Sequence, residues 1–145
     1  MGYTHYNEFR NGVNSKGQFK VVLADCAKIM ESKGDIGIYG GDGTGEPEFS
    51  ETEICFNGDV SQGLEHEAFY FTPEESYKCS FCKTEKKLYD LIVGAVLIAL
   101  ANRMKGFKFT SDGQMAEWQP IFDFYELNVA KLSKAKKQKM SNWIK

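Results

Sequence analysis

Between residues 17 and 33, apolar side chains fall at Phe19, Val22, Leu23, Cys26, Ala27, Ile29 and Met30. Steps of three and four predict a helix with one buried stripe, and Gly34 ends it. Ile36 to Tyr39 predicts a short strand running into the glycine-rich turn YGGDGTG. The stretch ETEICFNGDVSQGLEHEAFYFT then predicts two antiparallel strands around a loop at 57–63. Phe69 and Phe71 share one face of the second strand, and Ala68 and Tyr70 the other. A second helix is predicted from Thr84, a plausible N-cap, to Met104, with Gly106 closing it. Leu88, Leu91, Ile92, Ala95, Val96 and Ala99 make one apolar stripe and Val93, Leu97, Ile98 and Leu100 another, so this helix belongs in the middle of the molecule. GFKFTSDG supplies a strand with Phe107 and Phe109 inward and a turn at Ser111-Asp112-Gly113. Pro120 suits a helix start, followed by the stripe Ile121, Phe122, Tyr125, Val129 and Leu132.

The pattern is that of an α+β protein, a small antiparallel sheet packed against about three helices in a single domain. Residues 1–132 form that domain, and 133–145 are expected to be a mobile basic tail. A chain of 145 residues is long enough for a sizeable core. An aromatic content of 14% means that Phe and Tyr must fill much of it.

No apolar stretch follows the opening residues, so no secretory signal is expected. The longest apolar run, Leu91 to Ala101, falls short of the ~20 residues that cross a bilayer, and no membrane partner is expected. Four cysteines, Cys26, Cys55, Cys79 and Cys82, contain one C-x-x-C pair. Cys26 and Cys55 stand alone, so reduced, mostly buried thiols are favoured over a zinc site, and neither metal nor cofactor is expected.

A net charge of −2 conceals strong segregation. Residues 34–77 carry eleven acids and no lysine or arginine, whereas 131–145 carry six lysines and no acid. Residues 1–130 therefore hold 12 − 20 = −8. Such asymmetry concerns partners more than fold.

Motifs that would carry catalysis are weak. YGGDGTG resembles the GGDGT signature of the diacylglycerol and NAD kinase superfamily over five residues, but an acidic, proline-containing segment follows, and the chain is too short for the two-domain body of those kinases. No Gly-Lys-Ser/Thr follows either, which excludes a P-loop. Asp42, Thr44, Glu46 and Glu48 lack the spacing of an EF-hand. His66 alternates with Glu65 and Glu67 on a strand and points away from both. No Ser-His-Asp or Cys-His set is identifiable, so no catalytic residue is assigned and a non-enzyme is favoured.

Lys83, Lys86 and Lys87 crowd the predicted start of the second helix, where cations oppose the macrodipole. An anion would compensate them. Lys83 and Lys87, the Thr84 hydroxyl and free helix amides would form a cradle for an anionic small molecule, nucleotides included. Tyr89 would stack on its ring, and the loop bearing Asp42 and Thr44 would form the opposite rim. The competing reading pairs the same lysines with the acids of 34–77 or with Asp90. A second functional reading has Glu48, Glu51 and Glu53 engage a basic host protein, such as a defence or nucleic-acid-binding factor. Direct nucleic-acid binding has only the lysine-rich tail in its favour and is disfavoured; self-association is left open.

Taken in order, DGTGEPE, FNGD, FCKT with Lys87 and Tyr89-Asp90, and SDG with Trp118 resemble an uncharacterised group of small bacteriophage-encoded proteins. That group has a DG-x-GEP turn, an FNG element, an FCKT run before a hydrophobic helix, and an SSDG turn, where this chain has Thr110 in place of the first serine. The likeness spans roughly residues 36–126. It implies a phage origin, the cytoplasm of an infected bacterium, and an accessory role acting on host factors.

Overall fold

The computed structural model describes residues 2–144. Its elements run β1 (Thr4–Arg10), α1 (Ser15–Ser32), β2 (Glu48–Phe49), β3 (Ile54–Phe56), β4 (Phe69–Phe71), β5 (Tyr77–Lys83), α2 (Asp90–Arg103), β6 (Phe107–Ser111), α3 (Met115–Asn128) and α4 (Lys134–Ile144). The α+β expectation holds, with two three-stranded antiparallel sheets in place of one and four helices in place of three. The larger sheet has the order β5-β1-β6 and the smaller β2-β3-β4.

α2 is the centre of the molecule. Every residue from Ile92 to Leu100 is buried, as the all-round apolar pattern requires. α1, α3 and β6 pack against it. α3 comes close because Gly94 has no side chain; a Cβ there would sit 2.8 Å from Ile121 Cδ1. Phe9, Phe71 and Phe107 join the two sheets edge to face, with ring centroids 5.3 and 5.6 Å apart along that series.

Five local expectations change. Residues 36–38 form no strand, and Tyr39 makes only an isolated bridge to Asn57. The central strand of the larger sheet is β1, at the N-terminus, whose inward positions include the polar His5 and Asn7. α2 begins at Asp90, six residues beyond Thr84, because Glu85 and Lys86 take left-handed backbone angles (φ 55° and 58°) that no helix continues through. α3 begins at Met115, where Gln114 and Glu117 form a reciprocal capping box, and Pro120 lies inside the helix. Finally, the lysine-rich tail is not a loose extension. Residues 134–144 form α4, which packs against β6 and buries Met140 and Ile144; Lys145 lies outside the described residues.

Candidate functional site

The residues expected to form an anion cradle are not assembled into one. Lys83 ends β5 with its side chain exposed. Thr84 is fully buried, and its hydroxyl donates to Asp90 Oδ1. Lys86 meets Glu117 Oε2 at 2.7 Å and lies 4.8 Å from the centroid of the Tyr3 ring. Lys87 Nζ donates to the Gly63 carbonyl at 3.0 Å. Tyr89 is 1% exposed and donates from its hydroxyl to the Glu67 carbonyl at 2.6 Å, so its ring cannot stack on a ligand. The premise also changes: with α2 starting at Asp90, these lysines precede the helix and oppose no dipole.

The glycine-rich loop closes on itself. Asp42 Oδ1 accepts from both the amide and the hydroxyl of Thr44, at 3.0 and 2.8 Å. Those bonds, the hydroxyl's first, hold the Asp42 carboxyl below its ordinary pKa. The Gly40 and Gly43 amides are spent on carbonyls of the same loop, and the Thr44 amide on Asp42. The turn at Val60–Gln62 lies between this loop and Lys87, through Val60 N–H to the Gly43 carbonyl on one side and Lys87 to Gly63 on the other.

The acidic residues divide. Glu48 and Glu53 flank Cys55 on the outward side of the smaller sheet, where burial first and then Glu53 and Glu48 raise the thiol's pKa. Tyr70 is their neighbour, 39% exposed. Glu51 belongs elsewhere, with Glu74 beside Lys16 and Lys20. Cys79 and Cys82 fall on opposite faces of β5, one exposed and one buried, so the C-x-x-C pair cannot grip one ion from this strand. Among the described residues no cluster of three His, Cys, Asp or Glu side chains could hold a metal.

A Ser-His-Asp set does exist, across chain positions that spacing could not connect. His5 Nδ1 is 2.8 Å from Ser111 Oγ, and Nε2 is 2.7 Å from Asp90 Oδ1. Its surroundings are those of a cross-brace. His5 is fully buried between the edges of the Tyr3 and Trp118 rings, with centroids at 5.2 Å on both sides. Ser111 Oγ also accepts the Gly113 amide at 2.9 Å, and Thr84 holds Asp90. The trio ties β1, β6 and the start of α2 together, and none of the cavities described here reaches it.

A concave site lies at the opposite end of α2. A notch of about 240 Å³ opens between the last turn of α2, the start of β6 and one face of α4. Met104, Phe107, Met140 and Trp143 give it an apolar lining, and Arg103, Lys105, Lys136 and Lys139 stand around it. Its back wall is a buried polar network. Arg103 donates to Asp25 through Nε at 2.8 Å and Nη2 at 3.1 Å, the Tyr125 hydroxyl donates to Asp25 Oδ2 at 3.0 Å, and Asn102 donates to Tyr125 at 3.1 Å. The hydrogen bonds that Arg103 donates to Asp25 raise it above its ordinary pKa, and burial raises Tyr125. The guanidinium therefore stays charged and fixed. Lys136 Nζ donates to the Asn102 carbonyl at 2.7 Å, capping the negative end of α2 that would otherwise face the notch.

No protein family, curated protein or solved structure matches this chain. The site therefore rests on its own chemistry. Lys105 and Lys139 are its adaptable cations: among the described residues neither lies within ion-pair distance of a carboxylate. Lys139 Nζ is 5.8 Å from the Trp143 ring centroid. An apolar floor, an aromatic ring and two ammonium groups without carboxylate partners suit a ligand with a planar or apolar body and a negative group. Sequence reasoning missed this site because it treated the tail as unstructured. The signal was present in Lys136, Met140, Trp143 and Ile144, spaced to share one helix face.

Proposed function

We propose that this protein is a non-catalytic binding protein of the phage accessory type, and that its ligand is an anionic, ring-bearing small molecule, a nucleotide being the chemistry that fits best. The observation that carries the reading is the notch itself: two lysines without carboxylate partners beside Trp143, over an apolar floor. The ring would lie against Trp143, and the phosphate would take Lys105 and Lys139. Arg103 is already paired with Asp25 and adds no free charge, and Lys136 keeps the carbonyl end of α2 from repelling the anion. The anion-binding expectation thus moves from the Thr84 turn to the other end of the same helix.

Calorimetric titration with mononucleotides and cyclic dinucleotides tests it. Binding should weaken roughly fivefold for each of Lys105→Ala and Lys139→Ala, about what one partly screened charge is worth. No heat and no thermal shift with any phosphate-bearing ligand at millimolar concentration, or binding indifferent to both substitutions, would remove the reading.

A second reading keeps the acidic face. Glu48 and Glu53 beside the exposed Tyr70 would meet a basic host protein, and Glu51 would add to the field from a neighbouring surface. It requires a salt-sensitive complex weakened by charge reversal at Glu48 and Glu53; a complex indifferent to those reversals excludes it.

A further inference from the structure

The notch does not end at α4. Lys105, Phe107, Lys139 and Trp143 also border a shallow trough of about 420 Å³ that adds Glu8, Arg10 and Lys108. Glu8 and Lys108 in turn border a groove of about 220 Å³ on the outer face of the larger sheet, beside Tyr6. Three concavities therefore share walls in series, and the path they make leads onto an uncovered sheet face.

That face carries rings that the core does not use. Tyr6 is 44% exposed, Phe81 57% and Tyr77 45%, on the outward positions of β1 and β5. Register makes them a group: Tyr6 is the cross-strand partner of Phe81, and Arg10 that of Tyr77. Directly opposed side chains stand only ~5 Å apart at Cβ, so Tyr6 and Phe81 are side by side on the outer face of the sheet. The Arg10 guanidinium already lies over the Tyr77 ring, 4.7 Å from its centroid. Lys83 closes the far end, outward-facing on β5 beside Phe81.

The charge along this path is one-sided. Arg10, Lys105, Lys108 and Lys139 line the trough against a single carboxylate, Glu8. In a chain of net charge −2, that is a local excess of positive charge over a strip of aromatic and apolar side chains. A polyanion whose own rings are free to stack matches it. A duplex does not, since its bases are already stacked inside and only its backbone could reach the lysines.

We infer that the notch, the trough and the Tyr6–Phe81 face form one binding track for single-stranded nucleic acid, with phosphates along Arg10, Lys105, Lys108 and Lys139 and bases on Tyr6 and Phe81. The inference rests on the cationic notch of the preceding reading and names its ligand as a strand several nucleotides long. It also gives the exposed lysines of α4 a use that they would lack in a mobile tail.

Fluorescence anisotropy with labelled uridine and thymidine octamers, a matched duplex and a mononucleotide competitor tests it. The octamers should bind at least tenfold more tightly than the mononucleotide and than the duplex, and log K should fall with log salt at a slope of about −2 to −3, as expected for three or four neutralised phosphates on a single strand. Tyr6→Ala with Phe81→Ala, both exposed and outside the core, should weaken octamer binding at least tenfold, leaving the salt slope and the mononucleotide affinity unchanged. Lys105→Ala with Lys139→Ala should reduce the slope by about 1.4. Octamers that bind no tighter than a mononucleotide overturn the inference while the proposed function stands; silence from both removes both. Duplex binding equal to that of the single strand, or indifference to the aromatic substitutions, also overturns it. Preference between the uridine and thymidine octamers tells RNA from DNA.

Discussion

Met140→Ala tests how firmly α4 is docked on the rest of the molecule. Met140 is 1% exposed, on the face of α4 that carries Ile144 and, through Trp143, an edge-to-face contact with Phe109 at 5.4 Å. Truncating a buried methionine to alanine costs about 2–5 kcal/mol, and a peripheral helix that can partly close the gap belongs near ~3 kcal/mol. That loss need not unfold the protein, because α4 can detach while α2 keeps its contacts with α1, α3 and β6. Native-state hydrogen exchange separates the two events. In the parent protein the amides of 138–144 should be protected. In Met140→Ala they should exchange about 10²-fold faster, the factor that ~3 kcal/mol implies, while the amides of 93–100 remain slow. The same variant should lose nucleotide binding, since the floor of the notch goes with the helix. Free exchange of 138–144 in the parent protein would refute the docking and every inference built on α4.

Asp25→Ala should destabilise by about 2–4 kcal/mol in urea melts: it strips two charge-assisted bonds from Arg103 and one acceptor from Tyr125, moderated because Arg103 is 30% exposed and can turn to water. A loss below ~1 kcal/mol would show the network to be incidental. Glu126, held below its ordinary pKa of 4.5 by the hydrogen bond from Lys137, contributes stability that is present above that value and lost as pH falls through the folded pKa. The melting-temperature gap between the parent and Glu126→Gln should therefore be open at neutral pH and close as pH falls below 4.5 through the lowered folded pKa; a gap constant with pH would contradict the pairing. Iodoacetamide should label the exposed Cys79 first, whereas Cys26 and Cys82, whose thiols burial pushes up (Cys82 to about 12), should react only on unfolding. Mass spectrometry of the native protein showing Cys82 labelled as fast as Cys79 would place β5 wrongly.

The elements that sequence reading located are those whose apolar positions keep one period without interruption, α1, α2 and β6 among them. β1 was hidden because two of its inward positions are His5 and Asn7, polar residues that spoil a strict apolar alternation although both are buried. His5 is tolerable there only because Ser111 and Asp90 satisfy its ring from distant parts of the chain, and such pairings leave no trace in local spacing. The start of α2 was misplaced because the residue types at Glu85 and Lys86 give no hint of positive φ; the turn is imposed by Thr84, whose amide joins Tyr3 and whose hydroxyl joins Asp90. Lys83, Lys86 and Lys87 are a true local excess of cations, but the helix end that would make them a violation begins only at Asp90.

The charge segregation has a structural sequel that argues for a surface with a purpose. Were the lysines present to neutralise the acidic stretch, they would pair with it. Among the described residues only Glu75, of the eleven acids in 34–77, lies within ion-pair distance of a lysine or arginine, and its partner is the nearby Lys78. Lys86 reaches Glu117, and Lys137 reaches Glu126, both outside that stretch. Lys136 goes to a carbonyl, and Lys139 lies toward an aromatic ring. The fold thus keeps its two charge populations apart at the cost of the ion pairs it could have made. Surface pairs contribute little to stability, so that cost is small, while a field of one sign over a groove acts on any charged molecule that approaches it. A cationic groove on an acidic chain repels its own copies weakly and attracts anions locally, which is the electrostatic setting that the notch, the trough and the aromatic face require.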